Sequence, residues 1–352
     1  MKRNFFMSVL AAICLVACAE TKTEIKVIGD LGDPKPTFLH NMFGRETIAE
    51  GQVADGVVTF NVDTVENVIA VIGRSADRRQ PVCTMIRGAS KAGCDIVKFQ
   101  LLDMDEVAKD DPEYEWFSKL DLESPRLTKL LEWAAEEKID TLFTPVSVRT
   151  AKWLKDAGIR TVKIASSFVG KQDLLEYIND NFDIVYASTG MAELDEISMM
   201  IAKLNKVKEI RLLHCISEYP TGPLLEQRGL CALDEKDVHL NMMNILKEKY
   251  PNMMIGYSDH TDDILAPIVA VSMGAEIIEK HFTLDRKTPI EHFNQGKEYM
   301  GTDHVLSIEP EQLVKMVELI RRVEKIKGDQ SWERSDGEKI LIDFLRGRYQ
   351  ER

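Results

Sequence analysis

A parallel α/β barrel of the (β/α)8 type is the fold this sequence predicts, and three observations predict it. From about Pro81 onward, strand-like and helix-like segments alternate, which is the pattern of βα units around a parallel sheet. The strand-like runs are almost continuously apolar, as strands covered on both faces must be. No Gly-x-Gly-x-x-Gly follows any of them, which counts against an open dinucleotide-binding sheet.

Seven strands are expected, at 94–100 (CDIVKFQ), 140–144 (DTLFT), 161–166 (TVKIAS), 183–188 (DIVYAS), 210–215 (IRLLHC), 253–258 (MMIGYS) and 276–282 (EIIEKHF). An eighth fits at 68–73 (VIAVIG), which would complete a TIM barrel. The segments between them read as helices. In SPRLTKLLEWAAEEK, Ser124 suits the cap and Pro125 the first helical position, and Leu127, Leu130, Leu131 and Ala134 form one apolar stripe. Such helices cover the outside of the barrel.

The N-terminus follows different rules. Lys2 and Arg3 precede a short apolar run that ends in Leu15-Val16-Ala17-Cys18, a secretory-leader pattern too short to span a bilayer. The last four residues resemble the lipobox of bacterial lipoproteins, in which the cysteine carries the lipid, so residues 1–18 are expected to be a leader and Cys18 a lipid anchor. Residues 19–80 read as a small β-rich segment, with Asp55-Gly56 as a hairpin turn between alternating runs. This segment weakly resembles the N-terminal β-domain of some bacterial surface lipoproteins. The barrel is expected over 81–330 and a short tail over 331–352.

Composition excludes some classes of partner. A formal charge of −13 argues against binding a phosphate backbone, and 44% hydrophobic with 29% charged residues fits a globular protein with a large core. The six cysteines show no CxxC pair, so neither a zinc knuckle nor a disulfide framework is indicated. Cys94 and Cys215 lie in apolar runs and read as small buried hydrophobes.

Polar residues recur where this fold places chemistry. Lys98 and Gln100, Thr144, Lys163 and Ser166, Ser188, His214, Ser258 and His260, and His281 all fall at or just beyond strand C-termini, which converge on one mouth. Each alone has a plain structural explanation, such as a core histidine or a capping serine. Their recurrence on successive strands does not.

The motifs AGCDIVKFQ, FTP, VKIAS, STGM, LLHCISEYPT, GYSDHT and EKHFTLDR, in this order, resemble the N-acetylneuraminate (sialic acid) synthase family over about residues 82–310. That family condenses phosphoenolpyruvate with an N-acetyl hexosamine aldehyde such as N-acetylmannosamine, releasing phosphate and forming a nine-carbon 2-keto sugar acid. The resemblance implies a barrel, a homodimer, and catalytic roles for His260, His281 and Lys163. It makes His260 and His281 the ligands of a divalent metal, manganese or magnesium, acting as a Lewis acid. It assigns Lys98, Thr144, Lys163, Ser166, Ser188 and Ser258, with Gln100 nearby, to phosphoenolpyruvate. Ser217, Tyr219 and Asp303 fall at sugar-binding positions, and Asp259 at a supporting or sugar-side one.

The chain also departs from the family pattern. Val71 stands where the first family strand carries a glutamate, no Asn-His-Asn-Gly follows it, and Ser167-Phe168 replaces the Gly-Glu that follows the KIAS motif. Insertions fall near 224–240 and 290–300, and the sequence ends at Arg352 without the family's antifreeze-like domain. The resemblance thus covers the phosphoenolpyruvate and metal half more fully than the sugar half. Two other readings remain: a Schiff-base aldolase using Lys163, and a membrane-anchored lipoprotein with a binding-only barrel. The leader predicts the membrane surface, whereas phosphoenolpyruvate chemistry requires the cytoplasm.

Overall fold

The computed structural model describes residues 82–109, 114, 118, 124–219, 233–286, 302–328 and 332–348, and strand segments within 23–72 and 293–298. The expected leader and Cys18 lie outside the described residues. Strands β1 (Thr23–Ile28), β2 (Thr37–His40), β3 (Thr47–Ala54) and β4 (Val57–Val62) form an antiparallel sheet in the order β1-β4-β3-β2. Ala54 is paired with Val57 across the β3–β4 ladder; Asp55 and Gly56 themselves lie outside the described residues.

Eight strands then form a closed parallel barrel. They are β5 (Asn67–Ile72), β6 (Ile96–Leu101), β7 (Asp140–Pro145), β8 (Thr161–Ile164), β9 (Ile184–Ser188), β10 (Glu209–Cys215), β11 (Met254–Asp259) and β12 (Ile277–Phe282). Each expected strand is present. β5 lies between β12 and β6, with Val71 opposite both His281 and Lys98. The ring therefore begins at β5, upstream of the expected boundary at residue 81, because both flanking strands would otherwise present unpaired backbone groups.

Helices α1 (Val82–Ala92), α2 (Ser124–Glu136), α3 (Val148–Asp156), α4 (Gln172–Asn181), α5 (Leu194–Lys203), α6 (Met242–Lys249), α7 (Leu265–Ser272), α8 (Thr302–Leu306) and α9 (Pro310–Lys327) follow the barrel strands. In α2 the expected stripe is buried at Leu127, Leu130 and Ala134, with Leu131 packed at its edge. Ser147 caps α3 by accepting from the Thr150 amide, and Thr150 reciprocates to the Ser147 amide, which satisfies two otherwise orphaned donors. A last helix, α10 (Asp336–Gly347), has no buried residue.

Strand alternation sorts the polar residues into two environments. Ile96, Leu142, Tyr186, Leu213 and Ile277 form a small cluster inside the ring, separate from the larger core between strands and helices. Two residues further along, the same strand faces carry Lys98, Thr144, Ser188, Cys215 and Glu279. The intervening residues face the helices. His214 belongs to this outer set: its Nε2 meets the Val238 carbonyl at 2.9 Å and its ring stacks on Tyr257. It does not reach the mouth.

Asp259, expected as a supporting or sugar-side group, also faces outward. It accepts from the Tyr257 hydroxyl at 2.6 Å, from the Thr261 amide at 3.1 Å and from the Lys280 ammonium at 2.6 Å. Asp259 and Lys280 are fully buried, and Lys280 also donates to the Thr261 carbonyl. Asp259 is thus a structural group behind the barrel wall, on the helix side of β11.

Gly256 has a specific packing reason. A Cβ there would lie 2.6 Å from both Cβ and the carbonyl oxygen of Ile277, so β11 approaches β12 as only glycine permits. Gly256→Ala is expected to cost roughly 1–3 kcal/mol, the scale of overpacking. Urea unfolding checks it, and an unchanged midpoint would contradict the close approach.

Candidate active site

The mouth of the barrel is organised around a carboxylate. Glu279 sits on β12 and is 3% exposed. It accepts from Lys98 Nζ at 2.8 Å, from Lys163 Nζ at 2.9 Å on both oxygens, and from Ser258 Oγ at 2.7 Å. Four strands (β6, β8, β11 and β12) therefore converge on one buried charge cluster. Its lysines hold the Glu279 carboxyl well below its ordinary range against the opposing effect of burial. Burial in turn lowers the Lys163 ammonium to about 8, despite Glu279.

Among the described residues, three further polar atoms in this lumen have no hydrogen-bond partner: Thr144 Oγ1, Ser188 Oγ and His281 Nδ1. Buried polar groups are rarely left this way, so the three mark a place built for a polar ligand. Cys215 also lies here, buried as expected, with Sγ 3.9 Å from His260 Nδ1. Cys94 does behave as a small core residue, its thiol pushed up to about 12 by burial.

Beyond the carboxylate, two imidazoles face each other. The His260 and His281 rings are 5.6 Å apart and tilted by 51°. His260 Nδ1 lies 2.8 Å from the Ile216 carbonyl, which fixes Nδ1 as the protonated nitrogen and leaves Nε2 as a donor to a metal. The Tyr219 ring stacks on His260 at 4.6 Å, while Asp303 Oδ2 lies 4.0 Å from His281 Nδ1. Ser166 and Ser217 join at 2.9 Å between their hydroxyls. Gln100 is opposite Thr144 in the β6–β7 ladder.

This donor set fits a borderline divalent cation. Two imidazoles would leave coordination positions for water and substrate; among the described residues no group of three or more His, Cys, Asp or Glu side chains is arranged to hold a metal ion, so the rest of the coordination would come from those two sources. His281 is pushed down from 6.5 to about 4 by burial, with His260 and Lys98 adding to the effect and Asp303 opposing it. It is therefore neutral at pH 7, as a ligand must be.

That shift has a testable consequence for stability. The unfolded chain takes up this proton near 6.5 and the folded chain only near 4, so between these values the unfolded state binds more protons and stability falls as pH drops. In metal-free protein this contribution amounts to up to about 3 kcal/mol. Urea titrations across that window should show His281→Asn losing less stability than wild type, and identical slopes would contradict the neutral buried imidazole.

The positions of the expected acids are also visible. Val71 lies between Lys98 and His281 by register, and Ser166–Phe168 forms a short 3-10 turn after β8. The Lys171 ammonium lies over the Phe168 ring at 5.7 Å. The residue that sequence reasoning missed is Glu279. It stands two positions before His281 in EKHF, and strand alternation places both on one face.

Comparison with known proteins agrees with this geometry. The chain is 37% identical over 261 residues to the uncharacterized protein MJ1065 of Methanocaldococcus jannaschii, covering 73% of this chain and 68% of that protein. It is 31% identical over 281 residues to the N,N'-diacetyllegionaminic acid synthase of Campylobacter jejuni, covering 74% and 77%. Among solved structures, the N-acetylneuraminic acid (sialic acid) synthetase of Leptospira borgpetersenii serovar Hardjo-bovis, in complex with citrate, superposes with a TM-score of 0.70 at 29% identity. That match covers 86% of this chain and 99% of the other. The NeuB family profile matches residues 85–331, and with the ordered motifs at the mouth of the barrel it places the chain in the NeuB family, the N-acetylneuraminate synthases.

Proposed function

We propose that this protein condenses phosphoenolpyruvate with an N-acetylated amino-sugar aldehyde, such as N-acetylmannosamine, to give a nonulosonic acid and phosphate. The observation that carries this reading is the buried Lys98, Lys163 and Ser258 cluster beside the unpartnered Thr144 and Ser188 hydroxyls. Two ammonium groups and several hydroxyl donors suit a phosphate with an attached carboxylate.

In this reading, Lys98, Lys163, Ser258, Thr144 and Ser188 hold the phosphoenolpyruvate, with Ser166 and Gln100 at its edge. Tyr219, Ser217 and Asp303 face the sugar. His260 and His281 would hold a manganese or magnesium ion, which when bound supplies Lewis-acid polarisation of the aldehyde oxygen. The enol carbon attacks the aldehyde carbon, and the aldehyde oxygen becomes a hydroxyl by taking up a proton. Water then adds to the cationic carbon that bears the phosphate and loses a proton. The resulting adduct expels phosphate as the C–O bond breaks, leaving the ketone.

The side chains contribute charge and position. Lys98, Lys163, Ser188 and Ser258 are all nearly inaccessible to solvent, so their charges and dipoles act in a medium of low polarisability and need little rearrangement during the reaction. The test is phosphate release from phosphoenolpyruvate with folded protein, a panel of N-acetyl hexosamines and manganese or magnesium. Release with one sugar, dependent on both sugar and metal, is expected, and none across the panel would overturn the reading.

One observation favours a second reading. A buried lysine brought down to about 8 is partly neutral near that pH, which suits a Schiff-base nucleophile. Borohydride trapping of pyruvate on Lys163 that is insensitive to chelator would favour an aldolase instead.

A further inference from the structure

We infer that Glu279 is a built-in counter-anion that competes with the substrate's phosphate for Lys98 and Lys163, and so sets how readily phosphate leaves. This inference rests on the phosphoenolpyruvate reading above and assigns a role within the same site. It begins from a charge imbalance. Both lysine ammonium groups and the Ser258 hydroxyl are engaged by one carboxylate, and Lys98, Lys163 and Glu279 are each less than 5% exposed. Among the described residues of this cluster, two cations and one anion leave a surplus of one positive charge in a nearly buried place.

A buried pair of ammonium groups repels itself unless an anion stands between them. Glu279 fills that position in the free protein, contacting Lys163 with both oxygens and Lys98 with one. A phosphate entering the lumen finds Thr144 Oγ1, Ser188 Oγ and His281 Nδ1 without partners, but it must share the ammonium groups with a carboxylate that already holds them. Binding is weaker than the two lysines alone would give. When phosphate departs, the lysines close again on Glu279 without reaching for solvent, which favours release.

Glu279 is therefore a positioning residue, acting on the substrate through the lysines. Its effect opposes that of a simple scaffold residue: removing the charge should strengthen ground-state anion binding while slowing turnover. Binding that does not favour the transition state is not used for rate, and product release limits many enzymes.

Glu279→Gln keeps the shape and the acceptor oxygen but removes the charge. Calorimetric titration with inorganic phosphate is expected to show at least a tenfold tighter complex for Glu279→Gln than for wild type. Steady-state kinetics with phosphoenolpyruvate should show KM falling together with kcat. Phosphate affinity that is equal to or weaker than wild type overturns the proposal, as does KM rising while kcat is unchanged. If Glu279→Gln does not fold, Glu279→Asp retains the charge but is one methylene too short to span both lysines, and it should still bind phosphate severalfold more tightly. No gain in either variant overturns the idea. Tighter phosphate binding by Glu279→Gln in a protein that never turns over phosphoenolpyruvate would support the counter-anion while sinking the synthase reading, so the two failures are distinguishable.

Discussion

His281→Ala is expected to lower phosphoenolpyruvate-dependent phosphate release by about a thousandfold, the upper scale for loss of one preorganised electrostatic contact to a developing charge. The fold should survive. His281 is buried, but its Nδ1 has no hydrogen-bond partner, so the metal-free imidazole contributes packing while carrying an unmet desolvation cost. A phosphate assay at saturating manganese, alongside thermal unfolding of both proteins, separates the two effects. Turnover within fivefold of wild type would remove His281 from the proposed metal site. The His260 counterpart differs: Nδ1 is held by the Ile216 carbonyl and the ring by Tyr219, so replacing it also disturbs the residues just after β10.

The largest expected loss of stability belongs to Lys280→Met. Lys280 and Asp259 are fully buried at 2.6 Å, and removing one member of such a pair leaves an uncompensated charge, costing about 3–5 kcal/mol. Asp259 keeps donors from Tyr257 and Thr261, which places the loss toward the lower end of that range. Urea unfolding measures it. Adding Asp259→Asn to Lys280→Met should recover part of the loss, because the stranded charge is then gone, and a double variant no better than the single one would contradict this account.

Comparison of these two residues shows what could be read from sequence. The EKHF motif holds Glu279, Lys280 and His281 in succession, and the strand sends the first and third into the lumen and the second to the helices. Motif matching selected His281 and passed over Glu279, although the two-residue period was enough to pair them. The same period turns Asp259 and His214 outward, which leaves Asp259 the supporting place and takes His214 from the mouth. Side-chain identity cannot reveal which face of a strand is the lumen; that depends on register, which here follows from apolar residues such as Ile277 and Leu213 sharing the interior.

The seven strands from residue 94 onward were legible because each is an apolar run flanked by helical periodicity. The eighth was harder. VIAVIG follows four other β segments, and although it is continuously apolar where they carry polar residues, no helical pattern precedes it, so its local sequence does not say which strands it pairs with. Its assignment comes from long-range pairing to β12 and β6, a property of the whole chain. Lys98, Lys163 and Ser258 were legible as polar residues at strand ends, but their common attachment to one carboxylate was not.

The placement of β5 has a consequence for synthesis on the ribosome. Its hydrogen-bonding edge toward β12 waits from Ile72 until Ile277 emerges, about 205 residues later, which at typical elongation rates takes roughly 10–40 s. Throughout that interval the nascent chain carries an open parallel edge that a neighbouring chain could capture. Folding of this protein in the cell thus depends on its last barrel strand arriving before a competitor does, and slowing translation between β5 and β12 would lower the yield of soluble protein without altering a single residue.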